Sequence, residues 1–403
     1  MATPAKRAKG LLFFALFNSI LGFSILFPIL APLSRSLGLS VVEVGWLSTS
    51  YSMMQFVGSP YFGKLSERIG RKPVLLLGVF GFAISFGSFG VIAQLGQGGR
   101  IPHTTLVALL IGARMMGGLL SSATLPAAQA YIADVTERHE RTSGMALVGA
   151  AFGLGLIFGP IIGAILSRFG LLTPIWVSMC VAILNGVFIA MRLPVMDRRI
   201  VDETLHNEGI LRRVWPVLAV GFVAVLASVA LEQTIAFLYQ DTLRLSPKNT
   251  AKYVGIALGV YGVAAVMAQG FVVRRLRWSP HTLMRAGVAI GLFGFAGLIV
   301  AHSFAFLTAS MAIQGFGYGL TMPGLTALLS VSVGDNEQGE VAGLNSSTQA
   351  LGRTVGPLLG TSLYRVNPRY PYTLSLIMLV GVLLVISLGS TWRNSSLGTS
   401  NAD

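Results

Sequence analysis

A block of charge between two long apolar segments constrains the fold of this chain more than any other feature. The block is Gly63–Pro73, GKLSERIGRKP, and residues 41–62 and 74–94 on either side are almost entirely apolar or small. As a helix, each flanking segment is long enough to cross the roughly 30 Å hydrocarbon layer of a membrane. Cations in such a short loop favour the cytoplasmic side. The cations of the turn are Lys64, Arg68, Arg71 and Lys72.

Apolar segments of this length recur along the whole chain, which predicts about twelve membrane spans. The composition agrees, because 53% of the residues are hydrophobic and only 11% are charged, whereas soluble domains carry about 25% charged residues. The predicted spans lie near residues 11–34, 41–62, 74–94, 104–128, 143–167, 170–193, 214–239, 253–273, 282–301, 304–330, 341–363 and 370–391.

The net charge of +14 follows from loop topology. If both termini are cytoplasmic, most of the 29 Lys and Arg residues fall in cytoplasmic loops, as the positive-inside rule requires. The charge is therefore not a sign of nucleic-acid binding. These features predict a multi-pass membrane protein with both termini in the cytoplasm.

The chain divides into two halves that repeat each other. The only sizeable polar stretch, 195–213, lies near the middle, so we expect a first bundle at 1–194, a cytoplasmic linker at 195–213 and a second bundle at 214–403. In the fifth and eleventh spans the same glycine-proline pattern recurs without a gap. Its residues are Gly155, Gly159, Pro160 and Gly163, then Gly352, Gly356, Pro357 and Gly360. Glycines spaced by four share one helix face and allow close packing, whereas proline removes a backbone donor.

The charged turn also carries a spaced pattern, formed by Gly63, Leu65, Glu67, Arg68, Gly70, Arg71, Lys72 and Leu75. This pattern resembles the loop between helices 2 and 3 of major facilitator transporters, G-x-L-a-D-r-x-G-r-k-x-x-l. The run from Gly155 to Gly163 resembles the helix-5 motif of the drug:proton antiporter branch, although Ala164 replaces its final glycine. The resemblance implies an all-α membrane protein with twelve transmembrane helices in two pseudo-symmetric six-helix bundles. It also implies a location in the plasma membrane, which is the inner membrane of a bacterium.

Three charged residues inside the spans are candidates for coupling transport to protons or substrate, namely Glu232, Arg114 and Arg353. Glu232 is the only acid that lies clearly within a span, and intramembrane acids are functional by default. We expect it to carry a proton; the alternatives are a salt bridge to Arg114 or Arg353, or simple exposure near the outer end of its helix. Arg114 lies in LIGARMMGGLLSS, which resembles the helix-4 motif of the family with Gly117 where glutamine is usual. The resemblance implies a coupling role for Arg114, and the alternative is a structural tie to backbone carbonyls.

A cytoplasmic charge cluster is expected where the second, third and fourth spans emerge. Opposite charges there can hold one closed state if they are closely apposed and partly dehydrated. The alternative is a solvated network that contributes little. The residues of this gate cluster are Gly63, Glu67, Arg68, Gly70, Arg71, Lys72 and Asp134.

Polar and aromatic residues scattered through the spans predict a large, mainly apolar substrate cavity suited to amphipathic solutes. Tetracycline-type exporters carry an acid nine residues before the first-helix proline, but here that position is Ser19, so no cation site is expected in the first span. The candidate cavity residues are Asn18, Ser19, Tyr51, Met54, Gln55, Gln233, Phe237, Tyr239, Gln269, Gln314, Asn345 and Gln349.

The resemblance to drug:proton antiporters implies a secondary transporter that works by alternating access and exports amphipathic, drug-like solutes in exchange for protons. A symporter or facilitated carrier of a sugar, metabolite or organic anion is the first alternative, and a non-transporting solute receptor is the second. An enzyme is disfavoured, because the spans hold no catalytic cluster, zinc motif or Walker motif. We expect no cofactor or metal, and we expect small-molecule substrate, protons and lipid as partners. The family resemblance implies that the protein functions as a monomer.

Overall fold

The computed structural model describes residues 4–135, 141–194, 209–273, 275, 278–334 and 337–388, and it contains no β-strand in these ranges. Nearly all of the described chain is helical. Short 3₁₀ turns follow α1 and α7, and a π-helical turn, Ala268–Val273, extends α10. The helices are α1 Pro4–Ser24, α2 Leu30–Ser36, α3 Val41–Ile69, α4 Arg71–Gln97, α5 His103–Ser121, α6 Thr124–Val135, α7 Arg141–Leu166, α8 Thr173–Arg192, α9 Ile210–Thr242, α10 Pro247–Met267, α11 Pro280–Val300, α12 Phe304–Val331, α13 Gln338–Val366 and α14 Tyr370–Leu388.

These helices confirm the predicted fold class. Within the described residues, 8 helical segments are long and apolar enough to cross a membrane. The other long helices, α3, α7, α12 and α13, are richer in glycine, serine or other polar residues. Such helices usually lie inside a bundle, where small residues permit close packing.

Several boundaries differ from the predicted ones. The first span is divided into α1 and α2 by a 3₁₀ turn that contains Pro28, since proline lacks the amide donor that a continuous helix needs. Helix α9 begins at Ile210, so the last residues of the expected linker are helical. Residues 195–208 of that linker lie outside the described residues.

In the N-terminal bundle, α7 packs on α1 through its glycine face. A side chain at Gly155 would clash with Ile20, and one at Gly163 would clash with the backbone of Ile25. The Ser24 hydroxyl donates a hydrogen bond to the Gly155 carbonyl oxygen at 2.8 Å. The glycine stripe is therefore a close contact between two helix backbones.

The C-terminal bundle repeats this contact between α13 and α9. A Cβ atom at Gly352 would lie 3.1 Å from the carbonyl oxygen of Phe222, and one at Gly360 would lie 2.9 Å from the Cα atom of Ala230. The sequence repeat thus corresponds to the same helix pairing in both bundles.

A second pair of equivalent contacts involves glycines outside the stripes. A Cβ atom at Gly118 of α5 would lie 2.8 Å from the carbonyl carbon of Tyr51, and one at Gly315 of α12 would lie 2.8 Å from that of Tyr261. Any side chain would collide with backbone there, so both positions require glycine.

The two bundles meet along α3–α13 and α7–α10. On α10, Gly255 packs against Pro160 and Ala164, and Gly259 packs against Ile161 of α7. These contacts involve the C-terminal part of α7 and the N-terminal part of α10, which lie on the predicted exterior side.

Candidate functional site

Glu232 lies on α9 inside the C-terminal bundle and is half-buried. The Ser228 hydroxyl, one turn earlier, donates a hydrogen bond to its Oε1 atom at 3.2 Å. Arg353 of α13 is close enough for an electrostatic interaction with this carboxyl group. The described part of the chain shows no direct ion pair between the side chains of Glu232 and Arg353.

Two tyrosines complete the polar cluster around Glu232. Tyr261 of α10 and Tyr318 of α12 both interact electrostatically with the carboxyl group. The hydroxyl oxygen of Tyr261 lies 3.5 Å from that of Ser228. The cluster therefore contains one carboxyl group, the guanidinium group of Arg353 and several hydroxyl groups. These groups come from α9, α10, α12 and α13 and lie together inside the C-terminal bundle.

Arg114 occupies an aromatic cage in the N-terminal bundle. Its guanidinium carbon lies 4.8 Å from the ring centre of Tyr51, 5.6 Å from that of Phe89 and 5.9 Å from that of Phe86. Only 5% of the residue is exposed. Cation–π contacts of a desolvated guanidinium contribute about 2 kcal/mol, and they leave its N–H groups unused.

Within the described ranges, Arg114 has no acidic partner, and it does not make the hydrogen bonds to backbone carbonyls that were the alternative to a coupling role. The structure does not bring it into contact with Glu232, because the neighbours of Arg114 lie on α3 and α4 and those of Glu232 lie in the other bundle. A buried cation without a counter-charge is costly, which is typical of a functional group.

An ion pair closes the space between the bundles on the predicted exterior side. Arg35 of α2 pairs with Asp241 of α9. The Tyr364 hydroxyl of α13 donates a hydrogen bond to the second carboxylate oxygen of Asp241 at 2.8 Å. This exterior network, formed by Arg35, Asp241 and Tyr364, joins three helices from both bundles.

Two further hydrogen bonds cross between the bundles below this network. The Ser48 hydroxyl of α3 donates to the Gln233 Oε1 atom at 2.7 Å. The Thr49 hydroxyl donates to the Thr354 carbonyl oxygen at 3.0 Å. Since Gln233 and Thr354 directly follow Glu232 and Arg353, the closure is built onto the same segments as the charged cluster.

Some of the predicted cytoplasmic gate residues contact neighbouring helices, namely Arg71, Lys72 and Asp134. Arg71 Nε lies 3.3 Å from Asp134 Oδ2, and its guanidinium group also donates to the Ser66 hydroxyl at 2.7 Å. Lys72 donates to the Ala190 carbonyl oxygen at 2.8 Å. Gly70 joins α3 to α4 with φ at 99°, a conformation that favours glycine.

The remaining gate residues lie at the edge of this cluster. Glu67 and Arg68 are exposed on the last turn of α3, and Gly63 is half-buried one turn earlier, near Pro126. The contacts described here tie α3, α4, α6 and α8 together within the N-terminal bundle.

Some predicted cavity residues lie beside the seam between the bundles. Tyr51 stacks on Phe23 with ring centres 5.6 Å apart, and Gln233 contacts α3 as described above. On α13, the Gln349 side chain donates to Asn345 Oδ1 at 3.1 Å. Met54 and Gln55 are half-buried on α3.

Other predicted cavity residues lie elsewhere. Phe237 is fully buried beneath Arg35, with 5.9 Å from the guanidinium carbon to the ring centre. Tyr239 is buried nearer the exterior and contacts the Thr308 hydroxyl at 3.2 Å. Gln269 is exposed in the π-helical turn at the end of α10.

The last three predicted cavity residues lie inside the individual bundles. Gln314 is buried between α11 and α12, and its side-chain oxygen has no hydrogen-bond partner in the described structure. Asn18 is buried on α1, and the Ser19 hydroxyl donates to the Ala15 carbonyl oxygen at 3.0 Å within the same helix.

The residues that close the exterior side were not predicted from the sequence. Arg35 and Asp241 are separated by 206 positions, and no local pattern pairs an acid at one helix end with a cation at another.

The aromatic cage around Arg114 was also not predicted, although the sequence contains a pattern that indicates it. Phe86 and Phe89 are three residues apart on α4, so they share a helix face in the span next to Arg114.

Comparison with known proteins supports the class indicated by this architecture. The profile described as Major Facilitator Superfamily matches residues 12–357 and 250–398. Multidrug resistance protein 2 of Bacillus subtilis (strain 168) is 29% identical over 399 residues, which cover 94% of this chain and 93% of that protein. The class C tetracycline resistance protein of Escherichia coli is 29% identical over 366 residues, covering 86% of this chain and 87% of that protein.

A solved structure shows the same fold. The crystal structure of the human organic anion transporter MFSD10 (TETRAN) superposes with a TM-score of 0.70 and 20% identity, covering 96% of this chain and 100% of that one.

Two helical bundles of one membrane protein, with charged groups at their seam, define the class as a multi-pass membrane transporter. The chain belongs to the Major Facilitator Superfamily, and the resemblance inferred from the sequence is confirmed.

Proposed function

We propose that this protein is a secondary active transporter that exports small amphipathic or drug-like solutes in exchange for protons. The relatives named for multidrug and tetracycline resistance support export of such solutes. The observation that carries the proposal is the position of Glu232. It lies in a polar cluster directly below contacts that close the seam between the bundles.

The exchange follows from the single negative charge of Glu232. A carboxylate in a low-dielectric site is stabilised by one positive charge, which a proton or a cationic solute supplies. Binding of one displaces the other. In the ionised state the carboxylate also attracts Arg353, so protonation weakens the link between α9 and α13.

Alternating access requires the exterior network to open and close. The structure holds Arg35 against Asp241 and Ser48 against Gln233, which is a state closed towards the predicted exterior. Opening on that side would expose Glu232 to external protons. Rocking of two repeated bundles around a central site is how transporters of this architecture work.

The cytoplasmic gate cluster acts within the N-terminal bundle in this proposal, whereas the exterior network acts between the bundles. Arg71 and Asp134 are apposed at 3.3 Å and largely buried, so separating them would leave two poorly solvated charges. Together with the Lys72 contact to α8, the pair holds α3, α4 and α6 as one rigid unit at the predicted cytoplasmic side. We place the protein in a bacterial inner membrane, as a monomer with both termini in the cytoplasm.

One observation favours a second candidate function, transport of an organic anion. The buried guanidinium group of Arg114 has unused N–H donors and no acidic partner among the described residues, so it could bind a carboxylate or sulfonate. The structural likeness to an organic anion transporter concerns the fold alone.

Transport into inside-out proteoliposomes separates these candidates. Ethidium and tetracycline, an organic anion and a sugar would be supplied in turn, with the lumen acid, alkaline or at the external pH. Proton-coupled export predicts that an acid lumen drives accumulation of the cationic or amphipathic solutes. Accumulation of the anion alone would support the second candidate, whereas uptake independent of pH would refute proton exchange.

A further inference from the structure

An apolar groove of about 570 Å³ runs along the seam between α7 and α10 on the outer surface of the molecule. Its walls include large apolar side chains that are substantially exposed and therefore face lipid when the protein is in a membrane. The groove is distinct from the polar cluster around Glu232, none of whose residues lines it. Its principal apolar wall residues are Ile161, Ile165, Ile256, Val260, Val263 and Met267.

Two cations lie at one end of this groove. Arg168 belongs to the 3₁₀ turn that follows α7, and Lys252 lies in the second turn of α10. Both side chains are exposed, and within the described residues neither has an acidic partner. Lys252 lies over the ring of Tyr253, with 5.7 Å from Nζ to the ring centre. The end of the groove thus carries two positive charges available to a ligand.

The dimensions match a molecule with a charged head and an apolar tail. Between Lys252 and Met267, α10 rises about 22 Å, which is more than one half of a roughly 30 Å hydrocarbon layer. The cations lie at the level where α7 ends and α10 begins, so they reach the headgroup region while the apolar walls extend into the bilayer. Basic residues beside grooves between membrane helices recognise anionic headgroups.

We propose that this groove binds one anionic phospholipid. The phosphate group lies between Arg168 and Lys252, and an acyl chain follows the apolar wall formed by α7 and α10. Charge complementarity selects the anionic headgroup, because a zwitterionic lipid gains less from two cations. The occupant bridges the two bundles, since one cation belongs to each.

A lipid bound in the groove also affects which conformation the transporter adopts, an inference that rests on the proposed alternating-access function. The groove walls are held together by Gly255 and Gly259 packed on α7. A ligand that needs both walls favours the state in which they are joined. The anionic lipid therefore stabilises the state closed towards the exterior, whereas its binding alone does not depend on transport.

Native mass spectrometry of the purified full-length protein tests lipid binding directly. Phosphatidylglycerol and phosphatidylcholine with identical acyl chains would be titrated separately. We expect phosphatidylglycerol to bind more tightly, and the double variant Arg168→Gln, Lys252→Gln to weaken its binding by about tenfold or more. The matched control removes two other exposed cations, Arg100→Gln with Arg365→Gln, and leaves binding unchanged.

A groove-filling pair tests the position of the acyl chain. Val263 lines the groove and is exposed, so Val263→Trp fills the groove without disturbing the core. Val266 is also exposed but does not line it, so Val266→Trp is the matched control. We expect only the first to weaken phosphatidylglycerol binding.

Equal binding of the two lipids, or equal effects of the paired variants, would overturn the proposal. A dimer that is lost only in Val263→Trp would assign the groove to a second copy of the chain and would also overturn it. Wild-type lipid binding by the Glu232→Gln variant would support the site whether or not that variant transports, so failure of the proton-exchange proposal would leave the lipid site standing.

Discussion

Arg35 of α2 and Asp241 of α9 form an ion pair that joins the two bundles on the predicted exterior side. Their side chains are 41% and 35% exposed, so the pair contributes at most about 1 kcal/mol. The Tyr364 hydroxyl holds the same carboxylate at 2.8 Å, which adds a third helix to the contact. Interactions of this strength hold a closed state and still allow it to open in each transport cycle.

We predict that Asp241→Asn shifts the population towards the exterior-open state. Loss of about 1 kcal/mol corresponds to an approximately fivefold change in the ratio of the two states. The measurement is the distance between spin labels on the exterior ends of α2 and α9, recorded in lipid nanodiscs. The charge-swapped pair Arg35→Asp with Asp241→Arg is expected to restore the closed population in part.

Arg100→Gln is the control for this shift, because it removes an exterior cation outside the network. If Asp241→Asn and Arg100→Gln give the same distance distribution, the ion pair does not contribute to closure.

Replacement of Arg114 by methionine should raise thermal stability and abolish transport. The buried guanidinium group lacks a counter-charge among the described residues. Desolvation of a buried ion costs several kcal/mol, whereas its cation–π contacts return only about 2 kcal/mol, so removal of the charge is expected to be stabilising. Thermal unfolding in detergent gives the stability, and uptake by proteoliposomes gives the activity. Leu110→Met, a volume-conserving change on the same helix, is the control.

Lower stability of Arg114→Met with unchanged uptake would contradict this prediction. It would show that the cation–π contacts with Tyr51 and Phe89 serve only the fold.

Equivalent glycines of the two bundles should respond alike to alanine. Gly118→Ala and Gly315→Ala each place a methyl group against the backbone of a tyrosine, which cannot move aside as a flexible side chain could. We expect each to destabilise the protein by about 1–3 kcal/mol. Gly381→Ala is the control, because a Cβ atom at Gly381 would meet no atom of another helix within 4 Å.

Thermal unfolding of the three variants in the same detergent gives the comparison. An effect at Gly118 without one at Gly315 would mean that the repeated sequence does not produce repeated packing.

The sequence was sufficient to predict the fold because hydrophobic length and small-residue spacing are local properties. The run from Gly155 to Gly163 and its repeat from Gly352 to Gly360 predicted two equivalent helix faces, and both faces pack on the first helix of their bundle. The break at Pro28 was not predicted, because a proline near mid-membrane permits either a bend or an interruption.

The candidate site was harder to predict from the sequence than the fold. Glu232 was identifiable, since a lone acid in an apolar span is unusual. Its neighbours Tyr261 and Tyr318 come from other helices, and their proximity depends on the rotation and tilt of each helix. The pair formed by Arg35 and Asp241 depends in addition on how the bundles meet, which no single segment encodes.

Proton release on solute binding tests the exchange at Glu232 most directly. Ethidium, or the solute found in the transport panel, would be added to the purified protein in weakly buffered detergent solution while pH is recorded. We predict that the wild type and the control Glu43→Gln release a proton on binding, and that Glu232→Gln releases none. Undiminished proton release from Glu232→Gln would contradict the account, because another group would then exchange the proton.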